Sequence, residues 1–561
     1  MSAEPDSTAG EAPIAARAHP IAAFNLLDEP WLPVQWRAGG TEDVGLRTLF
    51  DRAHEVADLA ESVPTSYVAL HRLLLAITHR ALTRSVGRWT TADRAHWLRE
   101  SLPSGALTDY LEQWRERFWL FHPTHPFMQV AALAAPLPPK ADKRFGAFAS
   151  GVASSEHALA PKPWSQIALE SASGNNAVLF DHSVDPAPVA ITAATALRAL
   201  CGYLQFAPGQ PVKALCKSGN DLSGPLFNSL AVLPVGRHLV ETLALALPAS
   251  PLNDDADDVP AWERPAPTLG ALMANATVAR GPCDRFTRLS RATLLLPERD
   301  GMVRRLLFAE GLALQVDSMA PDPMVSYRPG ANDSWVRVSF REGRAAWRDL
   351  GALLPDPSGR LAQPAPVLEN ALRALQAAGR RSEALGLVVA GIAADQGKML
   401  RGRIEQYRLP VGALDSAATA TEVRAQLARA EEYAAALKSL SERLLLSTLP
   451  DPGHRDSRTL ARRIVEAGPL QATFFAQAER DLAHLLEAIG RAELDPAHTS
   501  WSRALLEAST SGWQAINAVL GDGPRALRAR ALHEGRFRDL IRPLLPTRAA
   551  AHPNDVTEPA R

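Results

Sequence analysis

Cysteine is nearly absent from this chain. Cys201, Cys216 and Cys283 are the three in 561 residues, and no two form a Cys-x-x-Cys pair. That excludes a cysteine-rich zinc site and fits a reducing cytosol, so a cytoplasmic location is expected. No apolar run reaches the roughly 20 residues of a membrane span, and no membrane partner is expected. The first 22 residues are rich in Ala, Pro and Glu and lack the basic start and apolar centre of a signal peptide; they read as a disordered extension. An excess of one charge is missing too, with 60 Lys and Arg against 61 Asp and Glu. Bulk charge therefore does not announce a nucleic-acid binder, and any basic surface must be local and offset elsewhere, for example by the four aspartates in residues 253–258. Catalytic signatures are equally scarce. There is no GxxxxGK[ST], no GxGxxG after a strand and no HExxH, and no GxSxG elbow. His122 and His125 sit among prolines without a third ligand, which favours a structural role over a metal site. No cofactor and no metal are expected.

What is present is apolar periodicity. Hydrophobic residues make up 46% of the chain, enough for large cores spread over roughly two to four domains. Trp31, Val34 and Trp36 suggest a short strand, with Gly39-Gly40 as a hairpin turn. Residues 46–59 read as a short helix with its approach, 64–82 as a strong helix, and 107–120 as another. Residues 130–163 form a mildly basic connection, followed later by a helix over 191–204 that stops before Pro208. A strand is expected at 226–233 and a helix at 237–247. Within 285–354, the runs 291–296, 306–316 and 335–340 alternate with turns and suggest a small antiparallel sheet. From Asp415 on, apolar residues recur at three- and four-residue steps (Val423, Leu427, Ala430, Ala434, Leu437, Leu444; then Phe474 to Ile489; then Trp501 to Leu520), and strands are absent. The fold class is α+β: a mixed domain over 23–412 with small antiparallel sheets, then an antiparallel four-helix bundle over 413–546 and a disordered tail over 547–561.

Two loops stand out. Residues 170–188 carry the turn Gly174, Asn175 and Asn176, then Phe180 beside Asp181 and His182, and close at Pro186 and Pro188. The segment fits neither helix nor strand. It reads as a long loop with one large apolar side chain, either a core phenylalanine or one held out for a partner. Asp181-His182 also leaves open a metal-dependent phosphohydrolase dyad. The second loop follows Pro208: Gly209, Gln210, Lys213 and Lys217 put freed backbone amides beside lysines, a combination that suits phosphate oxygens. In the bundle, Arg455, Arg458, Arg462 and Arg463 cluster, as do Arg525, Arg528, Arg530, Arg536 and Arg538. Each group is either a solvated helix face or a stripe that tracks a DNA backbone.

Several stretches together resemble the large subunit of the type I-E CRISPR surveillance complex Cascade, the CasA family. They are Asn25-Leu26-Leu27-Asp28-Glu29-Pro30-Trp31-Leu32-Pro33-Val34, His125-Pro126-Phe127-Met128-Gln129, Ser173-Gly174-Asn175-Asn176-Ala177-Val178-Leu179-Phe180, Ala207-Pro208-Gly209 with Lys217-Ser218-Gly219 after it, and Ala478-Glu479-Arg480. The resemblance implies a non-catalytic subunit of a crRNA-bearing assembly. Such a subunit partners the other Cascade subunits and the crRNA, samples double-stranded target DNA for the protospacer-adjacent motif from the minor groove, helps open the duplex and recruits a helicase–nuclease. It implies that Phe180 lies near the crRNA handle and a neighbouring subunit, and that Gly209 belongs to a glycine loop that reads the motif. It also implies a wedge near Trp347, Arg348 and Asp349, where the family has an amide side chain. Arg304 and Arg305 are the nearest candidates for a minor-groove cation. A helical scaffold without nucleic acid is the remaining alternative.

Overall fold

The computed structural model describes residues 23–136, 158–170, 187–209, 212, 214–215, 223–250, 257–315, 321–332, 334–356, 358–395, 398–414 and 416–545. Two compact units interleave along the chain. The first is drawn from the described parts of Met1–Glu61, Ser104–Pro225 and Asp255–Val316, the second from those of Ser62–Pro103, Leu226–Asp254 and Asp317–Arg561.

The first unit begins with a strand order Thr41–Val44, Leu32–Trp36, Val56–Leu59. Gly39 and Gly40 make the hairpin turn at φ of 98° and 86°, which glycine tolerates without a Cβ penalty. The helix expected over 46–59 stops at Asp51, and Val56–Leu59 becomes a strand because it completes this sheet opposite Val34 and Trp36; pairing overrides local propensity. The helix expected over 107–120 likewise ends at Gln113, and Trp119–Phe121 pairs with Ala23–Asn25. Two of the sequence motifs turn out to bind this unit together. The Trp31 indole is fully buried and donates to the Leu26 carbonyl at 3.0 Å, while the Asn25 side chain accepts the Leu27 amide at 3.0 Å. Buried Gln129 donates to the Leu120 carbonyl at 2.7 Å and accepts the Leu295 amide at 2.7 Å, bridging two sheets with every contact satisfied. Strand Arg291–Pro297 pairs with Val303–Glu310, and the short Lys162–Pro163 lies on the far side of the latter.

The second unit contains Trp335–Arg337, paired with Tyr327–Pro329, so the small sheet expected across 285–354 is really two sheets in two units. Its main sheet has the order Lys398–Pro410, Ala384–Asp395, Leu230–Val235. These two long strands went unnoticed in sequence because the run of 384–395 is apolar without alternation, as in a strand buried on both faces. The helix Pro64–Val86 carries Arg72, whose guanidinium meets Asp322 through two bonds of 3.1 and 2.9 Å with both side chains at 0% exposure. The bundle follows the short helix Val411–Leu414: Ala417–Leu446, then Arg455–Ala467, Leu470–Glu479 and Leu482–Gly490 in series, then Leu494–Val519 and Pro524–Ile541. The stretch from Phe474 to Ile489 is thus broken at Asp481 rather than continuous. Among the described residues no helix is long and apolar enough to cross a membrane.

Removing one partner of a buried ion pair leaves an uncompensated charge, whereas an exposed pair contributes little. Asp322→Ala is therefore expected to lower unfolding stability by about 3–5 kcal/mol, and Glu369→Ala, which frees the exposed Arg373, by less than about 1 kcal/mol. Urea denaturation of the full chain measures both.

Candidate nucleic-acid interface

The first unit builds its candidate site on the two ends of one helix. Ala193–Phe206 starts with Thr192, whose hydroxyl accepts the Thr195 amide at 3.1 Å. Leu197, Leu200 and Leu204 are fully buried. Fourteen residues make it roughly 21 Å long. Pro208 cannot continue the helix, so the chain turns outward at Ala207, and the carbonyls left without helical donors need other partners. They have them. Ser290 donates to the Leu204 carbonyl at 2.5 Å, and Arg291 donates to the Pro208 carbonyl at 2.6 Å and to the Ser290 carbonyl at 3.0 Å. The Gly224 amide returns to the Ala207 carbonyl at 2.8 Å, closing the base of the loop. A Cβ on Gly224 would stand 2.7 Å from the Gln205 oxygen and 2.8 Å from the Ala207 nitrogen, so the two strands of chain meet only because that residue is glycine. Gly209 then projects, exposed, from a fixed base.

The other end of the helix is held just as firmly. Ile191 exchanges both backbone bonds with Val303 at 3.0 and 2.8 Å, and the Trp164 indole donates to the Val189 carbonyl at 2.9 Å. Arg304 donates to the Pro188 carbonyl at 3.1 Å and pairs with Glu298 at 2.9 Å. Arg305 is exposed on the same strand, opposite Pro163 and Leu296. The structure thus places Gly209 at one end of this helix and Arg304, Arg305 and residues 187–188 at the other, on one frame. Gln210, Lys213, Lys217, Gly174, Asn175, Asn176, Phe180, Asp181 and His182 lie outside the described residues. Arg291, Ser290 and Gly224, which position the turn, were missed in sequence; the available signal was Arg291, a lone charge opening an otherwise apolar strand.

The wedge expectation needs correcting. Trp347 lies in the second unit, in the 3₁₀ helix Ala346–Ala352, at 1% exposure, with its ring edge-on to Phe475 and Trp501 at 5.9 and 6.5 Å. Such a ring is core, unable to touch a duplex in this conformation. Arg348 lies 3.4 Å over the Phe475 ring and bonds Glu431 through two nitrogens at 2.7 and 2.8 Å. Asp349 is occupied by Arg344 at 2.9 and 3.1 Å, and Arg344 also reaches Glu431 at 3.0 Å. Together they join the sheet to the first bundle helix, where Arg424 donates to the carbonyls of Gly351, Leu354 and Pro355. The backbone that remains exposed in this segment is the turn of residues 341–343, with Gly343 at a φ of 69°.

His122 spends Nδ1 on the amides of Thr124 and His125 at 3.2 and 2.9 Å, which holds the turn. Burial, with Arg117 and His122 nearby, holds the His125 pKa below its ordinary value. In the bundle Arg462 and Arg538 pair with Glu466 and Glu534, and Arg530 caps the preceding helix through the Asn517 and Gly521 carbonyls at 2.7 Å each. Arg455, Arg458, Arg525, Arg528 and Arg536 are exposed.

A family model described as CRISPR-associated protein Cse1 matches residues 25–511. The CRISPR-associated protein CasA/Cse1 of Thermus thermophilus is 34% identical over 528 residues, which is 92% of this chain and 97% of that protein. A solved structure of Thermus thermophilus CasA superposes with a TM-score of 0.76 at 30% identity, covering 93% of this chain and all of that one. Cse1 from Acidimicrobium ferrooxidans does so at 0.72 and 25% identity, covering 94% and 99%.

A buried aromatic and a surface wedge respond differently to truncation. Trp347→Ala is expected to cost about 3–5 kcal/mol of unfolding stability. Chemical denaturation checks it, and a cost below about 1 kcal/mol would remove the ring from the core.

Proposed function

The chain belongs to the Cse1 (CasA) family of CRISPR-associated proteins, and from that premise we propose that it is the DNA-recognition subunit of a cytoplasmic, crRNA-guided Cascade complex, with no catalytic step of its own. The observation that carries the reading is the exposed Gly209 turn on a base fixed by Arg291 and Gly224. The minor groove offers little beyond its acceptor pattern and width, so a reader there gains more from close approach than from long side chains. A glycine main chain can approach to hydrogen-bond distance, and a preset base spares the cost of ordering it on binding. Gln210, Lys213 and Lys217 follow directly and would take phosphates and the groove edge; Arg304 and Arg305, at the helix's other end, would take the flanking backbone.

Phe180, with Gly174, Asn175 and Asn176, would meet the crRNA handle and a neighbouring subunit. Opening of the duplex would fall to the exposed turn of residues 341–343, since Trp347 is core and Arg348 and Asp349 are engaged. Recruitment of a helicase–nuclease completes the role.

Gly209→Asp adds bulk and negative charge against the groove. In the reassembled complex it is expected to reduce the affinity ratio between duplexes with correct and scrambled motifs by about tenfold or more, about 1.4 kcal/mol. An unchanged ratio would sink the assignment of the turn. Phe180→Ala is expected to weaken target binding by a similar factor with the melting temperature of the free chain unmoved; equal affinity in the reassembled complex, read by gel shift, would remove Phe180 from the partner contact.

A further inference from the structure

The exposed arginines of the bundle are not used by the reading above, and their positions are unusual. Arg525 is the second residue of helix Pro524–Ile541 and Arg455 the first of helix Arg455–Ala467. Cations are unfavourable at a helix N-terminus, where the peptide dipole is already positive and anions are favoured. Helix Arg455–Ala467 offsets this with Asp456 in its first turn, whereas helix Pro524–Ile541 has no acid there. Internal pairing does not account for the group either. The residues four before and after Arg525 are Gly521 and Ala529, those around Arg528 are Pro524 and Leu532, and those around Arg536 are Leu532 and Leu540. None can form an i,i+4 ion pair, and the acids three residues away, Asp522 from Arg525 and Asp539 from Arg536, pair instead with Arg530 and Arg542.

The topology gathers the two N-termini at one end of the bundle. Helix Ala417–Leu446 runs down to Ser447, whose hydroxyl meets the His533 ring at 2.9 Å. Lys438 pairs with Glu466 at 2.9 Å, so Arg455–Ala467 runs back up from that same end. Further up, Trp513 stacks on Phe537 at 4.9 Å. Residues 525–528 precede His533 and therefore lie at or beyond the lower end, the end at which Arg455–Ala467 also starts. Arg525, Arg528, Leu532 and Arg536 follow one another at steps of three, four and four, which places them on one face of their helix over roughly 16 Å. Leu532 is 63% exposed in that row. His533 is turned inward, and burial together with Arg536 and Arg443 holds its pKa below the ordinary value, in keeping with a positive local field.

We propose that this end of the bundle is a second nucleic-acid surface, one that holds the backbone of an unpaired DNA strand. Guanidinium groups match phosphate oxygens in fork geometry and are weakly hydrated. The exposed Leu532 among them favours an unpaired strand over a duplex, because a duplex presents only sugar and phosphate outside its grooves whereas an opened strand offers apolar base faces. The choice of the displaced strand as occupant rests on the duplex-opening role proposed above; the capacity to bind a single strand does not.

Fluorescence anisotropy of the full chain with labelled oligothymidine over a range of salt tests the surface. Each phosphate contact on a single strand contributes about 0.7 to the slope of log affinity against log salt, so the triple variant R525Q/R528Q/R536Q is expected to flatten the slope by about 2 and to weaken binding roughly tenfold or more at low salt. L532S, which keeps every charge, is expected to weaken binding with the slope unchanged. A triple variant with wild-type slope and affinity would overturn the proposal, as would equal binding of duplex, or polyglutamate competing as well as oligothymidine, which would make the face a generic or protein-directed one. Motif discrimination by the reassembled complex is read in parallel. The triple variant is expected to keep it, so loss of motif reading in Gly209→Asp and loss of strand holding in the triple variant fail or succeed separately.

Discussion

A helix that ends inside a protein leaves carbonyls that must be satisfied, and the first unit is organised around that constraint. Helix Ala193–Phe206 ends where Pro208 forbids another turn, with Phe206 and Ala207 still fully buried. Water cannot reach these oxygens. The solution is a buried guanidinium at the start of strand Arg291–Pro297, the Ser290 hydroxyl before it, and a glycine amide from the returning chain. A buried arginine is costly unless its donors are used, and here two of them are spent on main-chain carbonyls. The consequence for function is mechanical. Gly209 is exposed, while Ala207 is buried and the Pro208 carbonyl is held by Arg291, which under the proposed reading would aim its amide in advance.

The second unit solves a different problem, the attachment of a helical bundle to a sheet. Apolar contact alone would leave the angle loosely specified. The segment around Trp347 supplies one large ring in the core and then pins the register with charges around Glu431, which receives Arg344 and Arg348 together. Glu431 lies on the bundle and both arginines on the approach from the sheet, so the pair fixes orientation more than it adds stability. The residues where a resemblance implies a wedge are thus committed to a joint. The same segment does present the turn of 341–343 outward, a few residues from that joint.

Much of this was legible in the sequence, unevenly. The helices Pro64–Val86, Ala193–Phe206 and Ala417–Leu446 were visible because one face of each is apolar at helical spacing, which is a local property. Val56–Leu59 and Ala384–Asp395 were not, because what makes them strands is a partner distant in the chain. Among candidate site residues, the turn at Gly209 was legible because a Pro-Gly pair after a helical run marks a turn. The role of Arg291 was not, since nothing local says that it faces the end of a helix eighty residues earlier. Trp347 misled for the converse reason: an aromatic beside charges reads as a surface feature, and only the packing of Phe475 and Trp501 around it shows otherwise.

The neutral overall charge does not argue against basic surfaces here, because neutrality is reached by segregation. Helix Pro524–Ile541 alone has five arginines against one glutamate and one aspartate, while residues 253–258 hold four aspartates. Screening confines a surface charge to a neighbourhood of about 8–10 Å at physiological salt, so an approaching phosphate responds to local groups and not to the sum over 561 residues. What decides whether a basic helix face is a site is whether its own helix neutralises it. In Arg455–Ala467 that test is partly met, since Arg462 is taken by Glu466. Across Arg525, Arg528 and Arg536 it is not met, since no residue four away is acidic and the acids three away, Asp522 and Asp539, pair with Arg530 and Arg542. Arg525 and Arg528, near the positive end of the helix dipole, lower the stability of the free protein slightly. Under the proposal above, an anion that arrives from outside would offset that cost.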